Sequence, residues 1–130
     1  MSREKILKSI HFLALYLFWP AIALVVWGEL SKEPAAVENL VWDKALHFTA
    51  YFGLSGMICL VLKNWRRTLV AAISLILFGG ALEIIQGFTG RDPSFYDELA
   101  NTIGVLAGFA AGQAILWLLT SKSLAATRPR

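Results

Sequence analysis

Long apolar runs separated by short polar segments dominate this sequence. Four runs contain almost no Asp, Glu, Lys or Arg, and only Glu83 interrupts them: residues 9–28, 45–62, 68–90 and 99–121. About 20 helical residues cross a hydrocarbon layer of about 30 Å. The polar face that a helix needs in a soluble bundle is missing from these runs. The pattern therefore predicts four transmembrane helices, at about 9–28, 44–63, 67–88 and 97–120.

The composition supports a single membrane domain over residues 1–130. The chain is 57% hydrophobic and 16% charged, whereas soluble domains are about 25% charged. The net charge of +3 is too small to indicate a nucleic-acid partner. Cys59 is the only cysteine, so the chain can form neither an intrachain disulfide nor a cysteine-based zinc site. We expect an all-α integral membrane four-helix bundle with short loops.

Basic residues are distributed unevenly between the connections. Nine of the 12 Lys and Arg residues fall in the two tails and the second connection. The positive-inside rule then places both termini in the cytoplasm and the first and third connections outside. The basic start and Ala21-Ile22-Ala23 also resemble a cleavable signal peptide. The apolar run continues past that point to Trp27, which favours a retained helix.

Polar side chains recur near the predicted outer ends of the second, third and fourth segments. Asp43, His47 and Tyr51 are spaced four residues apart and share one helix face. Asp97 and Asn101 repeat this spacing at the start of the fourth segment. A rise of about 1.5 Å per residue places this polar layer roughly 5–10 Å below the outer surface.

Glu83, near the end of the third segment, is the most informative residue of this layer. A carboxylate in the apolar zone costs about 3 kcal/mol and usually faces the bundle interior. We therefore expect Glu83 to contact His47, Asn101 or Arg91. The first segment brings no charge to the layer, so we expect it at the periphery of the bundle or as a lid.

Two interpretations of the polar layer are open. Its members could be interhelical contacts, each worth about 0.6 kcal/mol. The convergence of His, Glu, Asp and Arg at one depth favours a functional site instead. The predicted ligand-binding residues are Asp43, Lys44, His47, Tyr51, Glu83, Gln86, Arg91, Ser94, Asp97 and Asn101.

Small residues repeat along the fourth segment. Gly104, Gly108 and Gly112 are four residues apart, a stripe that allows close approach of a neighbouring helix. We expect this stripe to serve packing within the chain. It could also join two copies in a homo-oligomer.

The order and spacing of several short motifs resemble the VanZ-like membrane protein family over about residues 43–108. They are Asp43-Lys44-x-x-His47-x-x-x-Tyr51, Glu83-x-x-Gln86, Gly90-Arg91-x-x-Ser94-x-x-Asp97 and Asn101-x-x-Gly104-x-x-x-Gly108. Thr89 stands where the family often has proline. The resemblance implies a small multi-pass protein of the bacterial cytoplasmic (inner) membrane. It also implies a cell-envelope role, because the family is named for resistance to glycopeptide antibiotics.

One functional hypothesis is a binding site in the outer leaflet. Its partner would be a membrane lipid, a lipid-linked cell-wall precursor or a glycopeptide-like headgroup. Lys44 and Arg91 would contact phosphate or carboxylate groups, Arg through its planar fork and Lys as a point charge. The acidic residues would hold these cations or accept hydrogen bonds from sugar and peptide groups.

The alternative is a membrane-embedded hydrolase or transferase that acts on such a headgroup. His47 would serve as general base and Glu83 as general acid, and Asp97 is a third catalytic candidate. Asp43, His47, Glu83 and Asp97 could instead hold a divalent metal that activates water. The chain lacks the standard catalytic and metal-binding motifs. We therefore predict no cofactor and no metal, and the sequence does not decide whether the protein is an enzyme. A proton or ion relay is a third hypothesis.

Overall fold

The computed structural model describes residues 3–31, 40–90 and 92–126. These residues form four helices and no strand: α1 (Arg3–Leu30), α2 (Leu40–Leu62), α3 (Trp65–Thr89) and α4 (Phe95–Ala126). Each helix is long and apolar enough to cross a membrane. The predicted all-α fold, with four helices of membrane-spanning length and composition, is thereby confirmed. Most helices extend past their predicted ends, because a helix need not stop where its charge-free run stops and here continues into the flanking polar residues.

Both ends of α3 are fixed by specific residues. Asn64 caps its start, and the Asn64 side-chain oxygen accepts hydrogen bonds from the backbone N–H groups of Arg66 and Arg67, both at 3.1 Å. Its end is at Gly90, which has a left-handed conformation (φ 87°) and donates its N–H to the Gln86 carbonyl. These caps fix where along the bundle the last turns of α3 lie.

The glycine stripe of α4 packs against α2. A Cβ added at Gly104 or Gly108 would collide with the backbone carbonyl oxygen of Phe48 or Phe52, respectively, and one added at Gly112 would lie 2.5 Å from Cys59 Cβ. The expected packing role within the chain is confirmed. The same three glycines are buried by α2, so they are not available to a second copy of the chain.

A hydrogen bond also joins these two helices in the middle of the bundle. The Ser55 hydroxyl donates to the Val105 carbonyl at 2.8 Å. Both residues are fully buried, beside Tyr51 and Leu54 in the core. The α2–α4 pair is therefore the most closely packed part of the fold.

Helix α1 lies against α2 and α3, and within the described residues it does not touch α4. Phe18, Ile22 and Val25 form its inward face and pack on the core. Most of its other large side chains are exposed, including Phe12, Tyr16, Trp19, Leu24 and Trp27. In a membrane, this surface would face lipid.

Candidate functional site

Polar residues from all four helices meet at one end of the bundle, which we call the polar end. It consists of the last turns of α1 and α3 and the first turns of α2 and α4. Seven polar or charged residues are buried there: Glu29, His47, Glu83, Gln86, Asp97 and Asn101, with Tyr51 just below. The polar layer that the sequence predicted on three helices thus exists, and a fourth helix contributes to it.

Two contacts one helical turn apart join α2 to α4. Lys44 Nζ lies 2.8 Å from Asp97 Oδ1, and His47 Nδ1 lies 3.0 Å from Asn101 Oδ1. They lie one turn apart because Lys44 and His47 are three residues apart on α2, Asp97 and Asn101 are four apart on α4, and the glycine stripe holds the backbones close. Asp43 and His47, predicted to share a face of α2, both have a polar side-chain atom within 4.8 Å of one in Asp97.

Helix α1 contributes to the site, so the expectation that it supplies no charge to the polar layer was wrong. Glu29 is only 5% exposed, and its Oε1 lies 3.6 Å from His47 Nδ1. The Tyr51 hydroxyl lies close to the same carboxylate. The sequence carried a usable signal: Glu29 continues the spacing of Ile22 and Val25, which form the inward face of α1.

Glu83 is buried as predicted, but with a different partner. Its Oε2 accepts a hydrogen bond from the backbone N–H of Ser94 at 3.0 Å, across the α3–α4 connection. The structure shows no direct contact to His47 or Asn101. Glu83 Oε1 has no hydrogen-bond partner among the described residues. Arg91, the third expected partner, lies outside them.

Gln86 connects α3 to the end of α1. Its side-chain Nε2 donates to the backbone carbonyl of Glu29 at 2.7 Å. This contact satisfies a carbonyl in the last turn of α1, where no intrahelical donor remains. Gln86 therefore holds the last turn of α1, and with it the Glu29 carboxylate, against the other helices.

Glu98 is a site residue that the sequence analysis did not include. It accepts hydrogen bonds from Asn101 Nδ2 at 3.4 Å and Thr102 Oγ1 at 3.3 Å. It also interacts electrostatically with Glu83. Its place in the first turn of α4 predicts by itself only a favourable interaction with the helix dipole. Glu98 directly follows Asp97, so the four-residue spacing of Asp97 and Asn101 does not include it.

Glu83 and Glu98 line an open groove of about 430 Å³ between α3 and α4. Its other lining residues are mainly apolar or small: Gly80, Ile84, Gly87, Phe88, Pro93, Ser94 and Phe95. The groove walls are thus mainly apolar, and its acidic lining consists of the half-buried Glu98 and the buried Glu83. Its geometry suits a molecule that has hydrogen-bond donors at one end and a hydrocarbon part at the other.

No family model, curated protein or solved structure matches this chain. Its function therefore has to be argued from the polar end itself.

Proposed function

We propose that this chain is a small multi-pass protein of the bacterial inner membrane that binds a polar headgroup at the outer leaflet. The headgroup belongs to a lipid-linked cell-envelope precursor or a glycopeptide-like molecule. The observation that carries the proposal is the groove between α3 and α4, in which Glu83 and Glu98 lie beside apolar walls. The motif resemblance to VanZ-like proteins supports the same assignment.

The groove suits an amphiphilic ligand for two reasons. Carboxylates accept strong hydrogen bonds from hydroxyl and ammonium groups, which sugars and peptides supply. The exposed side chains of Ile84, Phe88 and Phe95 offer apolar contact to a polyprenyl or acyl chain that stays in the bilayer.

The structure changes the role expected for Lys44. Its ammonium group is already bonded to Asp97, so we no longer assign it to a ligand phosphate. Arg91, next to the groove in sequence, remains the proposed phosphate contact. Its planar fork suits bidentate binding.

We expect a leucine at position 80 to block the groove. A Cβ at Gly80 meets its nearest atoms, in Glu98, at 3.8 Å, which is ordinary contact, so the rest of the side chain would extend into the groove without breaking the fold. Binding of a fluorescent polyprenyl-diphosphate-linked disaccharide pentapeptide to the purified protein should weaken at least tenfold in Gly80→Leu. That loss corresponds to about 1.4 kcal/mol of binding free energy.

The matched control is Ala81→Leu, at the neighbouring position, which is exposed and outside the groove. It should bind the probe like the unmodified chain. Equal affinities for Gly80→Leu and Ala81→Leu would contradict the groove assignment. Displacement of the probe by phosphatidylglycerol vesicles at similar lipid concentrations would show a general lipid contact instead.

One observation favours the enzyme hypothesis as the second candidate. The His47 imidazole is buried between the Asn101 amide and the Glu29 carboxylate, an arrangement that orients a general base. In that case the protein converts the probe, and Glu83→Gln, which keeps the shape of the side chain, abolishes turnover while binding persists. If the protein only binds the probe, the probe should be recovered chemically unchanged with every variant.

The orientation in the membrane is part of the proposal and has its own test. We expect a cysteine at position 38 to react with a membrane-impermeant maleimide from outside, and one at position 123 to be protected, in a chain that lacks Cys59. The physical reason is the excess of Lys and Arg in the tails and the second connection. Labelling of position 123 in intact cells would contradict it.

A further inference from the structure

We propose that Asp43, His47 and Asp97 form a binding site for a divalent transition metal, with Zn²⁺ as its ion. One ligand atom from each residue lies within 4.8 Å of the other two. Ligand atoms lie about 2.0–2.2 Å from zinc, so two of them in one shell are up to about 4 Å apart. Small side-chain rotations would therefore bring the three atoms around one ion. This inference revises the sequence-based prediction of no metal, and it does not depend on the proposed groove.

The helices hold these three residues in place. Asp43 and His47 lie one turn apart on one face of α2, and Asp97 lies in the first turn of α4. Close packing at Gly104 fixes the distance between the two backbones beside the site. His47 and Asp97 are buried and Asp43 is half-buried, so the site is shielded yet can be reached from the polar end.

Two consecutive hydrogen bonds, between Glu98 and Asn101 and between Asn101 and His47, determine which ring nitrogen of His47 carries the proton. Asn101 Nδ2 donates to the Glu98 carboxylate at 3.4 Å, so the Asn101 amide oxygen has to face His47. That oxygen can only accept, and therefore His47 Nδ1 carries the proton and donates it.

In this tautomer the lone pair is on Nε2, the nitrogen that we assign to the ion. A histidine that binds a metal commonly donates its other ring N–H to an oxygen in this way. Asn101 is therefore a positioning residue for the metal site.

Lys44 is the competitor for this site. Its ammonium group lies 2.8 Å from Asp97 Oδ1, which shows that the carboxylate attracts positive charge at this point. The Lys44 side chain is partly exposed and long enough to turn away. Metal binding would compete with it, because two positive charges on one carboxylate repel each other.

The donor set favours zinc over the alkaline-earth ions. An imidazole nitrogen with two carboxylates is a ligand set that suits Zn²⁺, whereas Ca²⁺ and Mg²⁺ prefer oxygen ligands throughout. Three protein ligands also leave a fourth position for water or for a ligand group.

The test is a Zn²⁺ titration of the full-length purified protein in detergent, in competition with a chromophoric chelator. We expect one ion per chain. Asp97→Asn and His47→Gln should each weaken binding at least tenfold, and Asn101→Leu should weaken it about 10–100-fold through loss of the imidazole orientation. Lys44→Gln should bind more tightly than the unmodified chain, because it removes the competing charge.

Asp92→Asn is the matched control, since this exposed aspartate lies in the connection just before α4 and outside the cluster. Its Zn²⁺ affinity should be unchanged. A buried variant that fails to fold would lose Zn²⁺ for that reason alone, so Asp43→Asn, at a half-buried position, is measured as well. Equal affinities of the Asp43→Asn variant, the control and the unmodified chain would overturn the site. The headgroup test measures probe binding and this test measures Zn²⁺ affinity, so the two proposals fail independently.

Discussion

Gly108→Ala should lower the free energy of unfolding by about 3 kcal/mol, the upper end of the usual cost of overpacking. The added methyl group would collide with the Phe52 carbonyl oxygen, and its carbon would lie 3.0 Å from Ser55 Cβ. Backbone atoms cannot turn away as a side chain can, so α2 and α4 would have to separate. The separation would also weaken the hydrogen bond from Ser55 to Val105.

Cys59 provides the measurement. It is the only cysteine and is fully buried between α2 and α4, so a thiol-reactive dye labels it only when the helices part. On heating in detergent, Gly108→Ala should be labelled at a clearly lower temperature than the unmodified chain. The control is Gly53→Ala, also a glycine of this helix pair, on α2, where no atom lies within 4 Å of the added Cβ. That variant should be as stable as the unmodified chain, or slightly more so because alanine favours helix. Coincident labelling curves for the two variants would show that the helix contact is looser than described.

His47→Leu should be the most damaging single change at the polar end, with an expected cost of about 2–3 kcal/mol. It removes the partner of the Asn101 amide oxygen, which is fully buried, and it takes the imidazole away from Glu29. A buried polar atom that loses its partner keeps its full desolvation cost.

A double-mutant cycle separates this contact from general packing loss. The variant His47→Leu/Asn101→Leu replaces both polar partners, so it should cost less than the sum of the single changes, with a coupling of about 1 kcal/mol. Thr49→Val is the control on α2, since this exposed hydroxyl bonds only to its own helix at Ala45. Its effect should be near zero and additive with Asn101→Leu. An additive result for the His47 pair would mean that the 3.0 Å contact contributes nothing to stability.

The sequence was sufficient to predict the four helices and the polar end. The length of a charge-free run indicates whether a helix can span a membrane, and a four-residue spacing indicates which residues share a helix face. It was not sufficient to predict partners. Depth along a helix follows from residue number, but the rotation of one helix against another does not. Glu83 was therefore placed at the right level, but its observed hydrogen-bond partner is the backbone N–H of Ser94 in a connection, and not His47 or Asn101.

Glu29 was missed for a related reason. The predicted first helix was ended at its first charge, although a helix continues wherever packing and capping favour it. The structure carries α1 on to Leu30, and Gln86 binds the Glu29 carbonyl. The charge that was taken as the edge of the membrane segment is thus part of the site.

The contacts of Glu29 also determine the order in which the helices can pack during synthesis. Helix α1 leaves the ribosome first, yet its inward-facing carboxylate interacts with His47 of α2 and its carbonyl with Gln86 of α3. Neither residue has reached the bilayer when α1 is inserted. In a membrane, the last turn of α1 would therefore remain in the hydrated interface until α3 has been inserted, and only then could it pack in place. In a chain truncated before residue 86, the last turn of α1 would lack its contact with Gln86 and stay in water.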